Sequence, residues 1–135
     1  MRTARFAAVA AFCIVAVAAP AAAGAAAADP AMVERGRAVF TYVCAPCHGS
    51  GRGEDGAPML PGTHALQLKY KGAKPALIDQ RSDLPAPVLK VIVRNGVASM
   101  PPLRPTEVSD ADIAAIAAYF AENAKARAPA AKPPR

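Results

Sequence analysis

Cys44, Cys47 and His48, within the run CAPCHGSG, put two thiols three positions apart with an imidazole directly after the second. Three chemistries use such residues: a redox dithiol, half of a tetrahedral zinc site, or covalent attachment of a haem. The surrounding sequence separates them. A thioredoxin-like dithiol sits in a βαβ context, and no strand-rich pattern flanks this pair. Zinc needs further ligands at finger-like spacing. There is no second cysteine pair, and the other histidine, His64, reads as lying alone on a loop. What remains is C-x-x-C-H, the haem-attachment signature. Thiols on one turn can add to the vinyl groups on adjacent edges of a porphyrin, and the next residue, His48, then sits beneath the iron as proximal ligand. The expectation is one covalently held haem c.

The second axial position decides what such a site does, because an open one binds small molecules and a filled one mainly passes electrons. Met32, Met59, Met100 and His64 are the candidates. Met100 lies in RNGVASMPPL, between a glycine that can end a helix and a double proline that stiffens the chain after it. It is the expected distal ligand, with His64 as the bis-histidine alternative. Met59, in GAPMLPG, is close in sequence to His48 and is expected on the proximal side. A backbone carbonyl in that loop can accept the Nδ1 hydrogen of His48 and fix its tautomer. Pro58 is the expected acceptor and Pro61 the alternative.

Elements able to position these residues are legible around them, and they predict an all-α fold of three or more helices wrapped around the cofactor. Asp29-Pro30 reads as an N-cap followed by proline at the first helical position. The helix then runs through AMVERGRAVFTYV into the motif, with Met32, Val33, Gly36, Val39, Phe40 and Val43 at helical spacing. PAPVLKVIVRNG predicts a second helix, with Pro85 near its start and Gly96 as its stop. Ser109 and Asp112 have capping-box spacing ahead of a third helix whose apolar face is Ile113, Ile116, Ala117, Tyr119 and Phe120. Between the first two helices, Gly49 to Leu84 has no clear assignment: ALQLKY alternates and PALIDQ could form a helical turn.

The ends of the chain read differently from its middle. Arg2 and Arg5, the apolar stretch Phe6 to Ala19, Pro20 and a run of small residues form a secretory signal over residues 1–23, with cleavage as late as Ala28. The chain is then exported to the periplasm, with no membrane span expected after cleavage. Cys13 leaves with the signal, so Cys44 and Cys47 are the cysteines of the mature chain. Residues 30–124 form the expected domain, and 125–135, AKARAPAAKPPR without its first residue, a basic disordered tail. The formal charge of +6 resides in the signal and that tail, leaving the body neutral, so the basic pI is no argument for a nucleic-acid partner.

From about residue 30 to 123 the chain resembles the class I cytochromes c. The likeness rests on Gly36, Phe40 and CAPCH in the first helix, PMLPG after the motif, Met100 in a late loop, and IAAYF near the end. It implies the class I cytochrome c fold, with Gly36 and Phe40 packed against Ile116 and Tyr119, axial ligands at His48 and Met100, and a proline carbonyl at Pro58. The region from Thr63 to Asp83 departs from the short mitochondrial-type pattern. The ending VRNGVASMPPLRPTEVSDADIAAIAAYF is also similar to cytochrome subunits or partners of flavin-dependent oxidases of phenolic compounds, such as 4-cresol and eugenol hydroxylases. The resemblance implies a non-enzymatic electron carrier, taking electrons from a periplasmic dehydrogenase and handing them to a terminal oxidase or another cytochrome. A haem enzyme or gas sensor with an open sixth position is the alternative.

Overall fold

The computed structural model describes residues 28–127. The signal expected over residues 1–23 and the tail beyond Arg127 lie outside the described residues.

Helix α1, Pro30–Val39, opens as the sequence predicts: the Asp29 carboxylate accepts the Ala31 N–H at 3.0 Å, and proline fills the first turn, where an N–H would have no helical partner. The chain does not leave the helical path at Val39. It widens into a π-helical segment, Phe40–Cys44, and continues as α2, Ala45–His48. The Ala45 N–H reaches back five residues to the Phe40 carbonyl. One helical run therefore delivers the whole motif, with a π-bulge inside it of the kind common at functional sites. It ends at Gly49, whose N–H donates to the Ala45 carbonyl at 2.8 Å.

The stretch without a sequence assignment holds α3, Pro61–Tyr70, with 3₁₀ turns at Glu54–Gly56 and Ile78–Gln80 on either side. Proline starts α3, and Lys71, at φ 48°, stops it by donating its N–H to the Gln67 carbonyl. His64 is therefore on a helix and not on a loop. The helical turn expected in PALIDQ is present at Ile78–Gln80.

Helix α4, Ala86–Asn95, follows Pro85 and stops at Gly96, whose φ of 69° favours glycine. Helix α5, Asp110–Arg127, begins with the expected box: the Ser109 N–H donates to the Asp112 carboxylate at 3.0 Å, and the Asp112 N–H donates to Ser109 Oγ at 3.1 Å. The helix runs three residues past the expected tail boundary, so Lys125 and Arg127 occupy its last turn. There their charge complements the negative end of the helix dipole.

The core is Phe40, Leu84, Leu89, Val93, Val108, Ile113, Ile116 and Phe120. It sits where α1 crosses α5. Gly36 meets the backbone of Ala115 and Ile116 so closely that an added Cβ would lie 2.0 Å from the Ala115 carbonyl oxygen. Phe40 packs against Tyr119 and Phe120 with ring centroids 5.6 and 5.5 Å apart, the second pair edge to face. The pairing expected of Gly36 and Phe40 with the last helix is thus the centre of the fold. Among the described residues there is no strand, and no helix is long and apolar enough to cross a membrane.

Candidate functional site

The π-bulge sets how the motif meets the core. Phe40, at its start, is buried, while Tyr42 points to solvent at 87% exposure. Cys44, at its end, is half-buried against the core cluster, and Cys47, within α2, is exposed. Both thiols are unpaired. Burial, reinforced by the neighbouring Cys47, pushes the Cys44 thiol up to about 11, so it is protonated at neutral pH.

His48 closes α2 and is half-buried, which lowers its pKa and leaves the imidazole neutral, with a lone pair free to bind a metal. Its ring edge lies against the first turn of α3. A Cβ at Gly62 would come 2.6 Å from Cε1 and 2.7 Å from Nδ1 of His48. The next residue, Thr63, is buried and donates its hydroxyl to the Gly49 carbonyl at 2.9 Å, tying α3 to the end of the motif. Gly62 entered the sequence reading only as the last residue of PMLPG, and Thr63 carried no signal of its own.

The Nδ1 atom of His48 is buried without a hydrogen-bond partner. The bond expected to the Pro58 carbonyl, or alternatively to that of Pro61, is not made. Pro58 is exposed in the bend before α3. The ring edge faces the start of a helix, where carbonyls are directed into the helix: that of Leu60 is taken by the His64 N–H at 2.8 Å.

Met100 stands on a tight turn. Its N–H donates to the Val97 carbonyl at 2.9 Å and its carbonyl accepts the Val97 N–H at 3.1 Å, with Ala98 between them at φ 52°. The Met100 side chain is half-buried and packs on the same core cluster as Cys44 and Ala45. Val88 and Val91 on α4, and Val97 in the turn, are exposed at 41%, 61% and 51%, an apolar surface on the chain leading to Met100. The other candidates are placed elsewhere. Met32 is on α1 at 44% exposure, and His64 is half-buried on α3. Met59 and Pro58 line a cavity of about 330 Å³ with Gly49, Thr63, Leu77 and Gln80.

The residues fit a haem c better than the other two chemistries. Among the described residues no three His, Cys, Asp or Glu side chains gather to hold a metal ion, as a zinc site would require. Two unpaired thiols, an imidazole packed against Gly62 and a thioether on a stiff turn are residues that fit a haem c.

A family model described as cytochrome C oxidase, cbb3-type, subunit III matches residues 31–120. The chain belongs to this family. It is a class I c-type cytochrome, all-α, and family membership implies haem c and electron transfer rather than catalysis, with other redox proteins as partners. Comparison with curated proteins and with solved structures gave no match. The matched span of the cytochrome runs from α1 to the buried Phe120 of α5, so it takes in both the motif and the helix crossing that carries it.

Proposed function

We propose that this cytochrome is exported to the periplasm, holds one haem c through thioethers from Cys44 and Cys47, and carries single electrons. The observation that carries this reading is the placement of both free thiols and the neutral His48 on one helical run, locked against α3 at Gly62 and Thr63. When bound, the haem supplies a one-electron iron couple whose potential is raised by a methionine ligand. The chain supplies everything that holds that couple still. Cys44 packs against the core and Cys47 is exposed, so the Cys44 thioether would tie the haem to the buried part of the fold. His48 is the proximal ligand and Met100 the distal one, each carried on backbone pinned by hydrogen bonds or close packing. Ligands held this firmly change little between oxidation states, which is what fast outer-sphere transfer requires.

The donor is a periplasmic dehydrogenase. The likeness of residues 93–120 to the cytochrome partners of phenol-oxidising flavoenzymes supports a flavoprotein that oxidises phenolic compounds or alcohols. The family's name, that of an oxidase subunit, supports a terminal oxidase as acceptor.

The test is the visible spectrum of the mature protein from a host able to attach haem, oxidised and reduced, with and without carbon monoxide. A weak oxidised band toward the red, lost in Met100→Ala, and no response to carbon monoxide are the expected results. Rapid carbon monoxide binding by the native protein would overturn the carrier reading and favour a haem enzyme or gas sensor with an open position.

A further inference from the structure

The loop that carries Met100 runs from Gly96 to Ser109 and includes Pro101, Pro102 and Pro105. Proline has no N–H to donate, so this loop cannot hold itself in place with a backbone ladder. Its own ties are the Val97–Met100 pair, the Leu103 N–H to the Val93 carbonyl at 2.8 Å, and a turn at Arg104–Val108 in which Glu107 accepts the Arg104 N–H at 2.7 Å, with Leu103 and Val108 packed on the core. One side chain joins the rest. Arg94, in the last turn of α4, donates from Nη1 to the Leu103 carbonyl at 3.0 Å, and from Nη2 to the Val108 carbonyl and to Asp110 Oδ1, both at 2.8 Å. Its side chain is only 18% exposed.

We propose that Arg94 is the positioning residue for Met100: its guanidinium clasps the loop shut by bridging the end of α4, the segment just after Met100, and the start of α5. The proposal rests on the reading of Met100 as the distal ligand. Only a planar fork can serve these acceptors together, because the guanidinium projects N–H groups from separate nitrogens in fixed directions. A lysine ammonium at this position keeps the charge but places all its donors on one atom. The turn that carries Met100 is itself closed tightly, since a Cβ at Gly96 would lie 2.4 Å from the Met100 carbonyl oxygen. Without the clasp, the chain after Met100 is held to α4 by the Leu103 N–H, and Asp110 keeps its second partner, Lys90, at 2.7 Å. The helices therefore remain joined while the loop loses its side-chain tie and keeps only the Leu103 bond and the buried Val108. Arg94 thus acts on how long Met100 stays in place, more than on whether the domain folds.

The test compares the haem-loaded native protein with Arg94→Met, Arg94→Lys, Met100→Ala and Arg35→Met. The last removes an exposed arginine paired to Asp112 at 2.8 Å and controls for lost charge. The readouts are haem content, the methionine-dependent red band as temperature rises, and the rate at which imidazole binds the oxidised protein. Arg94→Met and Arg94→Lys are expected to lose the band at lower temperature than the native protein and to bind imidazole about ten-fold faster or more, the scale set by one lost charge-assisted bond. Arg35→Met is expected to match the native protein. If Met100→Ala opens the iron while the Arg94 variants behave as native, the clasp is wrong and the ligand reading stands. If Met100→Ala itself leaves the band and imidazole binding unchanged, the ligand reading fails and the clasp with it. Should Arg94→Met not fold, Arg94→Lys decides: native-like imidazole binding there overturns the proposal.

Discussion

Replacing Gly36 by alanine tests the helix crossing on which the whole site stands. In an ordinary helix position the change would gain about 0.5–1 kcal/mol, because glycine loses more backbone freedom on folding. Here the new Cβ would lie 2.0 Å from the Ala115 carbonyl oxygen and 2.9 Å from the Ile116 nitrogen. Both are backbone atoms, so no rotamer change relieves the overlap. Restoring ordinary contact at 3.4 Å means moving α1 and α5 apart by about 1.4 Å along that direction. A radial gap of about 0.5–1 Å forfeits a quarter to a half of a van der Waals contact. The residues across this gap, Phe40, Ile116 and Phe120, are 5%, 4% and 1% exposed and have no solvent to relax into. Overpacking of this kind costs about 3 kcal/mol or slightly more. Net of the helix gain, the loss is about 2 kcal/mol or more, a fall of about 10 °C or more in Tm for a domain of this size. Thermal unfolding followed by far-ultraviolet circular dichroism measures it, with Ala38→Gly at an exposed position of α1 as the reference for propensity alone. A Gly36→Ala protein as stable as the parent, or more so, would refute the close crossing.

Three further substitutions probe other parts of the molecule. Gly62→Ala drives a Cβ to within 2.7 Å of two ring atoms of His48, so haem content per chain should fall or the haem spectrum shift, while the α-helical content of the haem-free protein stays near that of the parent. Asp83 is held far below the ordinary carboxylate range, first by its hydrogen bonds to the 7% exposed Arg81 and then by Lys74. Since its folded pKa lies below its unfolded value, the stability it adds is complete above about pH 4 and is lost as pH falls from there. Asp83→Asn should therefore cost about 1–2 kcal/mol at pH 7, discounted for the carboxylate's 40% exposure, and flatten the acid side of the Tm-against-pH curve. Asp79 behaves oppositely: one carboxyl oxygen is buried without a partner, and burial raises its pKa despite the opposing charge of Arg127. The folded state then keeps this proton to higher pH than the unfolded state, and stability falls as pH rises through that interval. Asp79→Asn should raise Tm relative to the parent at pH 7 and lose that advantage near pH 3; a pH-independent difference would contradict the account.

What could be read from the sequence was chemistry contained within a few residues. The Asp29 cap, the Gly96 stop and the Ser109–Asp112 box each depend on partners two to four positions away, and each is present. Helix α3 was not legible because its leucines do not share a side: Leu66 is half-buried and Leu68 is 62% exposed. Its place is fixed by contacts to residues well before it in the chain, Thr63 to Gly49 and Gly62 to His48. The π-bulge was hidden for another reason, since five residues of shifted register leave the spacing of apolar positions almost unchanged. Lys125 and Arg127 read as tail on composition, although alanine-rich sequence favours helix. The role of Arg94 could not be seen at all, because backbone carbonyls at Leu103 and Val108 carry no signature in the side chains that bear them.

These contacts divide the molecule into a part that sets stability and parts that set ligand geometry. Gly36, Phe40 and Phe120 join the first and last helices by backbone approach and ring packing, and the half-buried Met100 packs against the same core without taking part in either contact. Gly62 and Arg94 lie outside that crossing and act on one proposed ligand each, Gly62 on His48 at the end of α2 and Arg94 on the loop of Met100. The two kinds of substitution should therefore separate. Gly36→Ala should lower Tm while leaving the red methionine band of the folded protein intact at low temperature, and Arg94→Lys should weaken that band well below its own Tm. The separation follows from the direct partners, Ala115 and Ile116 for Gly36 and Leu103, Val108 and Asp110 for Arg94, because sites that share no partner have nearly additive effects. The double variant provides the check: its Tm should fall by the sum of the single falls, and its imidazole-binding rate should equal that of Arg94→Lys alone. A rate in the double variant far above that value would mean that the helix crossing also holds the methionine loop, and the division would be wrong.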